Sequence, residues 1–258
     1  MCELLGMSTD APTDICFSFT ELMKRGGESG PHADGWGIAF YEDKGVRTFL
    51  DPSPSHCSRI ADLVRDYPIR SCNVIGHIRQ ANAGMVALQN THPFVRELWG
   101  RYWVFAHNGQ FKSVKKWPLG RFNPVGTTDS EHAFCWLMSQ IDNTFQGPPS
   151  SVVAFHKQLK EWCDQLREQG VCNLIFSDSR YTYAYCTTKL TWFTRRPPFS
   201  VAKLKDADVT VDFKLKDTQV TAGTIIATAP LTDNEDWQVM QPGEFLVFRK
   251  GEIVRRLL

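Results

Sequence analysis

The sequence opens with Met1-Cys2-Glu3-Leu4-Leu5-Gly6-Met7, a stretch that predicts a short strand closed by glycine, with a nucleophile at its start. If Met1 is removed, Cys2 carries its thiol and a free α-amine on one carbon. An α-amine titrates near neutral pH, so it can act as general base for that thiol and no histidine is needed. A cysteine at position 2 is by itself more often coincidental, so the interpretation depends on the residues downstream.

The composition of the 258 residues is typical of a soluble globular protein, with 42% hydrophobic and 22% charged residues. The formal net charge of +1 gives no overall field that would favour nucleic acid or an acidic membrane. No apolar run approaches the roughly 18 residues of a membrane helix, and the N-terminus lacks the pattern of a secretory signal. We therefore predict a cytoplasmic protein with no nucleic-acid or membrane partner.

The eight cysteines form no Cys-x-x-Cys pair, and the seven histidines show no zinc-ligand spacing. Without an export signal, reduced thiols are expected rather than disulfides. The sequence therefore predicts no metal site and no cofactor.

The hydrophobic pattern predicts an α+β protein in which strands outnumber helices. Helices are predicted over residues 14–25, 58–66, 128–138 and 152–168. In the second of these, Ile60, Leu63 and Val64 are expected to face inward. Strands are predicted over residues 2–7, 36–41, 46–50, 72–79, 102–106, 172–177, 181–186, 190–194, 224–228 and 244–248, with an edge hairpin within 206–219. Because the strands come in adjacent pairs, antiparallel sheets covered by helices are favoured over a βαβ repeat.

Polar residues follow two apolar strands at the points where those strands are predicted to end. The first strand ends on His77 and Arg79, and the second is followed by His107-Asn108-Gly109. Downstream, Thr128-Asp129-Ser130-Glu131 has the pattern of a capping box, which puts Asp129 in the first turn of a helix. We expect these polar residues to share one rim, although strand ends and helix caps are commonly polar for structural reasons alone.

Together these residues suit the hydrolysis of a glutamine side-chain amide. A thiolate from Cys2 would attack the carbonyl, and the side chain of Asn108 with the backbone N–H of Gly109 would form an oxyanion hole. The α-carboxylate of the substrate calls for a bidentate guanidinium, which Arg79 supplies. Its α-ammonium calls for a carboxylate, which Asp129 supplies.

With these residues the chain resembles the class II glutamine amidotransferases, which use an N-terminal nucleophile. It is most similar to their stand-alone bacterial YafJ-like members. The resemblance rests on six pieces in the family's order. They are Met1-Cys2, then Arg25-Gly26 with Asp34-Gly35-Trp36-Gly37, His77-Ile78-Arg79, Asn90-Thr91-His92-Pro93, His107-Asn108-Gly109 and Thr128-Asp129-Ser130-Glu131.

The resemblance implies a four-layer αββα sandwich of antiparallel sheets. It implies Cys2 as nucleophile and self-base, Asn108 and Gly109 as oxyanion hole, and Arg79 and Asp129 as the residues that hold glutamine. Arg25 is expected to order the nucleophile region and His92 to brace its loop. Family members often carry threonine three residues after the arginine. Asn82 stands there in this chain and is the remaining candidate for substrate binding.

Residues after Glu131 are needed to complete the sheets, so we predict one glutaminase-type domain over residues 1–258 and no attached synthase domain. Either a partner protein accepts the ammonia, or the protein hydrolyses a γ-glutamyl amide of a modified peptide or thiol metabolite. A catalytically silent module that binds a ligand or partner is the third alternative. In both enzymatic cases we expect the active protein to begin at Cys2.

Overall fold

The computed structural model describes residues 2–81, 84–215 and 219–258, and its strands form two large antiparallel sheets. The strands are β1 (Glu3–Thr13), β2 (Trp36–Glu42), β3 (Gly45–Asp51), β4 (Ser71–Ile78), β5 (Phe94–Leu98), β6 (Arg101–Phe111), β7 (Gly170–Ser177), β8 (Thr182–Tyr185), β9 (Thr191–Arg195), β10 (Val201–Lys203), β11 (Thr210–Asp212), β12 (Gly223–Ala227), β13 (Gln238–Val239), β14 (Phe245–Arg249) and β15 (Glu252–Leu257). The helices are α1 (Cys16–Arg25), α2 (Arg59–Asp66), α3 (Asp129–Phe145) and α4 (Val152–Glu168).

The first sheet has the strand order β13-β9-β12-β1-β4-β2-β3 and the second has the order β15-β14-β8-β7-β6-β5. Three apolar clusters separate four layers. One lies between α1 and α2 and the first sheet, one lies between the sheets, and one lies between the second sheet and α3 and α4. The predicted αββα sandwich is therefore confirmed. The small hairpin of β10 and β11 stands apart from both sheets.

Two strands that carry site residues are longer than the sequence predicts. β1 does not end at Gly6 but continues to Thr13. A Cβ built on Gly6 would lie 3.1 Å from Cγ2 of Ile175 in the facing sheet, so this glycine allows close packing of the sheets rather than a turn. Similarly, β6 runs through His107-Asn108-Gly109 to Phe111, so these polar residues lie within a strand and not after it.

The helices match their predicted positions more closely than their predicted faces. α4 has the predicted bounds, and Thr128 caps α3 by accepting from the backbone N–H of Glu131 at 3.1 Å. α2 packs through Ala61 and Val64, whereas Ile60 and Leu63 are 41% and 57% exposed, so the prediction that both face inward is wrong. A helix of only two turns has one narrow contact face, and Ile60 and Leu63 lie on the adjacent one.

The edge hairpin predicted within residues 206–219 is formed instead by β10 and β11, and residues 216–218 lie outside the described part. Within the described ranges, no helix combines the length and the apolar character needed to cross a membrane.

Candidate active site

Cys2 lies directly before β1, at the end of two central strands. In the ladder of β1 and β4, Glu3 pairs with Ile78, so Cys2 lies beside Arg79. The Cys2 Sγ accepts from the backbone N–H of Gln80 at 3.4 Å and lies 3.5 Å from the Gln80 carbonyl oxygen. Burial raises the pKa of the Cys2 thiol, against the opposing effects of the Gln80 N–H and the charge of Arg79. A group that takes the thiol proton is therefore needed near neutral pH.

The five residues that the sequence proposes for the chemistry line a single cleft of about 800 Å³. They come from four elements or their ends, namely Cys2, Arg79, Asn108, Gly109 and Asp129. Gln80, His92 and His107 are among the other residues that line it. The predicted shared rim is thus present in the structure, although two of its members lie within β6.

Asn108 is fully buried and is held by two hydrogen bonds, one at its side-chain amide and one at its backbone carbonyl. Its Nδ2 donates to Oγ1 of Thr228 at 3.4 Å, and its backbone oxygen accepts from Nδ2 of Asn173 at 3.0 Å. Thr228 Oγ1 also accepts from the backbone N–H of Leu4 at 2.9 Å. Thr228 therefore connects the strand that follows the nucleophile with the candidate oxyanion donor.

Gly109 follows Asn108 in β6 and pairs with Cys172 of β7. A Cβ on Gly109 would lie 1.9 Å from the Val171 carbonyl oxygen and 2.7 Å from Nε2 of His107. Such contacts are impossible, so only glycine fits here.

The two residues proposed for the ends of glutamine each keep part of their hydrogen-bonding capacity. Asp129 Oδ2 accepts from the backbone N–H of Phe111 at 2.7 Å, and Oδ1 has no partner among the described residues. The Nη1 of Arg79 donates to the carbonyl oxygens of Met85 at 3.2 Å and, weakly, of Asp34 at 3.5 Å. Both hydrogen bonds use Nη1, so they hold the guanidinium through only one of its nitrogens.

Arg25 ends α1 and is buried among three carboxylates. Its guanidinium lies 3.2 Å from Glu3, 3.5 Å from Glu21 and 3.1 Å from Asp206. It also donates to the carbonyl oxygen of Pro230 at 2.6 Å. Burial raises the pKa of Glu21 to about 7, despite the opposing backbone N–H of Asp206 and the charge of Arg25. Through Glu3, this cluster holds the residue next to Cys2.

Three buried histidines lie at the cleft, two of which, His92 and His107, line it. His77 stacks on His92 at 4.2 Å between ring centroids and donates to the carbonyl oxygen of His107 at 3.2 Å. His107 accepts from the hydroxyl of Ser130 through Nδ1 and donates to the Val171 carbonyl oxygen through Nε2. Burial lowers the pKa of all three and brings that of His77 to about 3. In the described residues none of them is hydrogen-bonded to Cys2, which suits the expected bracing role of His92.

Sequence reasoning missed Thr228 and the backbone of Gln80. Thr228 contacts Leu4 and Asn108 across 224 and 120 residues of chain, and a single threonine after a strand carries no signal of such contacts. The remaining candidate, Asn82, lies outside the described residues, as does Met1.

Comparison with known proteins gives a family for this chain. A family model described as class II glutamine amidotransferases matches residues 1–257. The Escherichia coli (strain K12) protein YafJ, named as a candidate glutamine amidotransferase, is 58% identical over 254 residues that cover 98% of this chain and 100% of that protein. The structure of a predicted glutamine amidotransferase from Pseudomonas aeruginosa PA01 is similar with a TM-score of 0.77 and 45% identity, covering 98% of this chain and 100% of that one.

A more distant structure shares only the fold. The glutamine phosphoribosylpyrophosphate amidotransferase of B. subtilis, complexed with ADP and GMP, has a TM-score of 0.62 at 12% identity, and the match covers 99% of this chain and 49% of that one. The match of the family model over nearly the whole chain and the 58% identity to YafJ lead to one conclusion: this chain belongs to the class II glutamine amidotransferase family.

Proposed function

We propose that this protein hydrolyses the side-chain amide of glutamine through a γ-glutamyl thioester on Cys2. The observation that carries the proposal is the convergence of Cys2, Arg79, Asn108, Gly109 and Asp129 on one cleft. Membership of the amidotransferase family supports the same chemistry. The single domain over residues 1–258 and the cytoplasmic location remain part of this proposal, and the eight free thiols suit a reducing compartment.

In the proposed first step, the α-amine of Cys2 takes the thiol proton after removal of Met1. The Cys2 sulfur then forms a bond to the side-chain carbonyl carbon of glutamine. The buried thiol makes hydrogen bonds only to the backbone of Gln80 among the described residues, so the amine is the base that the mechanism requires. The bond from carbon to the amide nitrogen breaks, and the nitrogen leaves as ammonia with the proton from the amine.

The oxyanion formed in this step would be stabilised by the Nδ2 of Asn108 and the backbone N–H of Gly109. One N–H of Asn108 is directed at Thr228, which leaves the second for the oxyanion. Loss of one such donor costs about 10²–10³ in turnover. Arg79 would bind the α-carboxylate, and Oδ1 of Asp129 would bind the α-ammonium. Asn82 remains a further candidate for substrate binding from sequence alone.

Water then hydrolyses the thioester, which gives glutamate and restores the thiol. The ammonia either leaves with solvent or passes to a partner protein that consumes it. Arg25 would act in both steps by holding Glu3, and with it the start of β1, in place.

The test is ammonia release from L-glutamine by protein whose mass shows that Met1 has been removed. We expect release by this protein and none by Cys2→Ala, while Cys57→Ala, at an exposed free cysteine, serves as the matched control. Hydroxylamine should intercept the thioester and yield a γ-glutamyl hydroxamate. Undiminished release by Cys2→Ala, or full activity of protein that retains Met1, would refute the mechanism.

A further inference from the structure

A second cavity opens beside the Cys2 cleft and continues it on the side away from the thiol. It has a volume of about 680 Å³ and shares Gln110, Thr128 and Asp129 with the cleft. Cys2 and Asn108 line the cleft but not the second cavity. The second cavity therefore begins where the α-ammonium of a bound glutamine would lie, and extends beyond it.

The wall of this second cavity is rich in positive charge. Lys112, Lys115 and Lys116 line it, and Asp129 is its only acidic residue in the described part of the chain. We call it the lysine pocket. Nζ of Lys115 donates to the carbonyl oxygen of Thr127 at 2.6 Å, whereas Lys112 and Lys116 have no carboxylate partner within the described ranges. Since the whole chain carries a net charge of only +1, this local excess is not a property of the surface in general.

The lysine pocket is attached rigidly to the proposed substrate site. The backbone N–H of Phe111, at the end of β6, donates to Asp129 at 2.7 Å, and that of Lys112 donates to the Gln169 carbonyl oxygen at 2.9 Å. The following turn, Val114–Lys116, is anchored by the buried side chain of Val114. The three lysines are thus presented from a fixed turn next to the carboxylate that would bind the substrate's ammonium.

This geometry determines from which atom of the substrate an extension could enter the pocket. With the side-chain amide at Cys2, an extension toward this pocket, away from the thiol, must leave from the α-nitrogen or the α-carboxyl group. Acylation of the nitrogen would remove the positive charge that Asp129 binds, whereas an amide at the carboxyl group keeps it. A Cβ on Gly84, in the pocket wall, would lie 3.8 Å from Nη2 of Arg79. The guanidinium is therefore close enough to this wall to donate to a peptide carbonyl oxygen instead of a free carboxylate.

We propose that the substrate is a short peptide whose first residue is glutamine and whose next residue is acidic, with that acidic side chain and the terminal carboxylate bound in the lysine pocket. This inference rests on the proposed function. The chemistry is unchanged, because the thiol attacks the side-chain amide of the first residue, ammonia leaves, and water releases a peptide that begins with glutamate. Free glutamine would fill only the cleft, and the lysine pocket would then contain solvent.

The experiment compares hydrolysis of Gln-Glu, Gln-Lys and L-glutamine by processed protein. We expect kcat/KM for Gln-Glu to exceed that for Gln-Lys by about fivefold, as a few solvent-screened ion pairs would give. About 0.5 M NaCl should remove most of this preference, because it screens exposed charges. Peptides that begin with glutamine also cyclise spontaneously with loss of ammonia, so the product is identified by mass as Glu-Glu, and Cys2→Ala gives the background.

The pocket itself is tested with Lys112→Ala combined with Lys116→Ala. This variant should lose the preference for Gln-Glu over Gln-Lys. The control combines Lys44→Ala and Lys157→Ala, two exposed lysines away from the cleft, and should keep it. Equal kcat/KM for the two peptides, or a preference that survives in the pocket variant, would overturn the inference.

Failure of the proposed function gives a different result, namely no hydrolysis of any of the three compounds. In that event, calorimetric titration of Cys2→Ala with the two peptides still decides the role of the lysine pocket. Tighter binding of Gln-Glu supports it, and equal binding of both peptides refutes it.

Discussion

The hydroxyl of Thr228 lies between the strand that follows Cys2 and the amide of Asn108, and we expect it to orient the oxyanion donor. Thr228→Val keeps the shape of the side chain but removes the acceptor. The Asn108 amide is then free to rotate away from the oxyanion, so kcat should fall by about tenfold or more. KM should change little, because Arg79 and Asp129 are untouched. Steady-state kinetics with L-glutamine measure both constants.

Thr228→Ser is the matched control, since it keeps the hydroxyl and should retain most of kcat. A purely structural role would affect Ser and Val variants alike, or would raise KM together with the loss of kcat. Either pattern would contradict an orienting role for Thr228.

The buried histidines predict how the stability of the protein depends on pH. Burial lowers the pKa of His92, and neither of its ring nitrogens has a hydrogen-bond partner in the described residues. Below about pH 6.5 the unfolded chain binds a proton at this position that the folded chain does not. Stability is therefore fully present above that pH and is lost as the pH falls, by about 1.4 kcal/mol per pH unit for each such group.

His92→Phe removes one of these protons and keeps a ring against Phe94, whose ring centroid lies 4.3 Å from that of His92. We expect its free energy of unfolding, from urea titrations between about pH 5 and pH 7.5, to fall less steeply than that of the unchanged protein. His77 and His107 would still contribute. Parallel curves for the two proteins would show that His92 is protonated in the folded state as well.

Sequence reasoning at the residue scale succeeds where a residue type and its neighbours specify the chemistry. Cys2, Arg79, Asn108, Gly109 and Asp129 were all predicted, and the fold brings them into one cleft. Their individual roles stay predictions until the variants are measured. The role of Thr228 could not be predicted, because its partners are distant in the chain and the residues around it indicate only the end of a strand.

At the scale of elements, α1 and β1 are tied together by Arg25, whose side chain is only 9% exposed. Arg25→Met keeps much of the apolar stem but leaves Glu3, Glu21 and Asp206 without their shared cation. The free energy of unfolding should fall by about 3–5 kcal/mol, as happens when one partner is removed from a buried ion pair. Chemical denaturation measures this loss.

Lys24→Met, one residue earlier, provides the comparison. Its ion pair with Glu28 is largely exposed, with side chains 33% and 54% accessible, and should contribute at most about 1 kcal/mol. If both variants lose the same amount, the Arg25 cluster does not anchor β1.

The positions of the helices and strands were predictable from apolar periodicity and helix caps. The residues at which they end were not always predictable. The sequence predicts that β1 ends at Gly6 and that the strand before His107 ends at Ala106. Both continue because distant strands pair with the extensions. β4 and β12 pair with β1 beyond Gly6, and β7 pairs with β6 from His107 to Phe111. Backbone pairing with distant strands outweighs the local preference of glycine and polar residues for turns.

For the whole molecule, the distance between the two sheets near the site is set partly by Gly6. A side chain there would meet Ile175 at 3.1 Å and Ile226 at 3.4 Å. Gly6→Val should therefore destabilise the protein by about 1–3 kcal/mol through overpacking. Urea unfolding is the measurement, and Gly147→Ala, where nothing lies within 4 Å, is the control. Unchanged stability of Gly6→Val would show that the sheets can move apart at little cost.

The four layers were predictable only in part from the residues. Paired strands indicated antiparallel sheets, and the family resemblance supplied the αββα order. The strand order itself has no local signature, because β1 pairs with β12 more than 200 residues later.

That pairing has a consequence for the order of events during synthesis. The strand next to Cys2 is completed only when β12 adds to its free edge, so residues up to Ala227 must first be made. At about 5–20 residues per second, translation of this length takes roughly 10–45 s. During that interval β1 can pair with β4 but lacks its second neighbour, β12. If Met1 is removed as the proposed mechanism requires, the late synthesis of β12 gives an aminopeptidase time to act before the sheet beside Cys2 is complete.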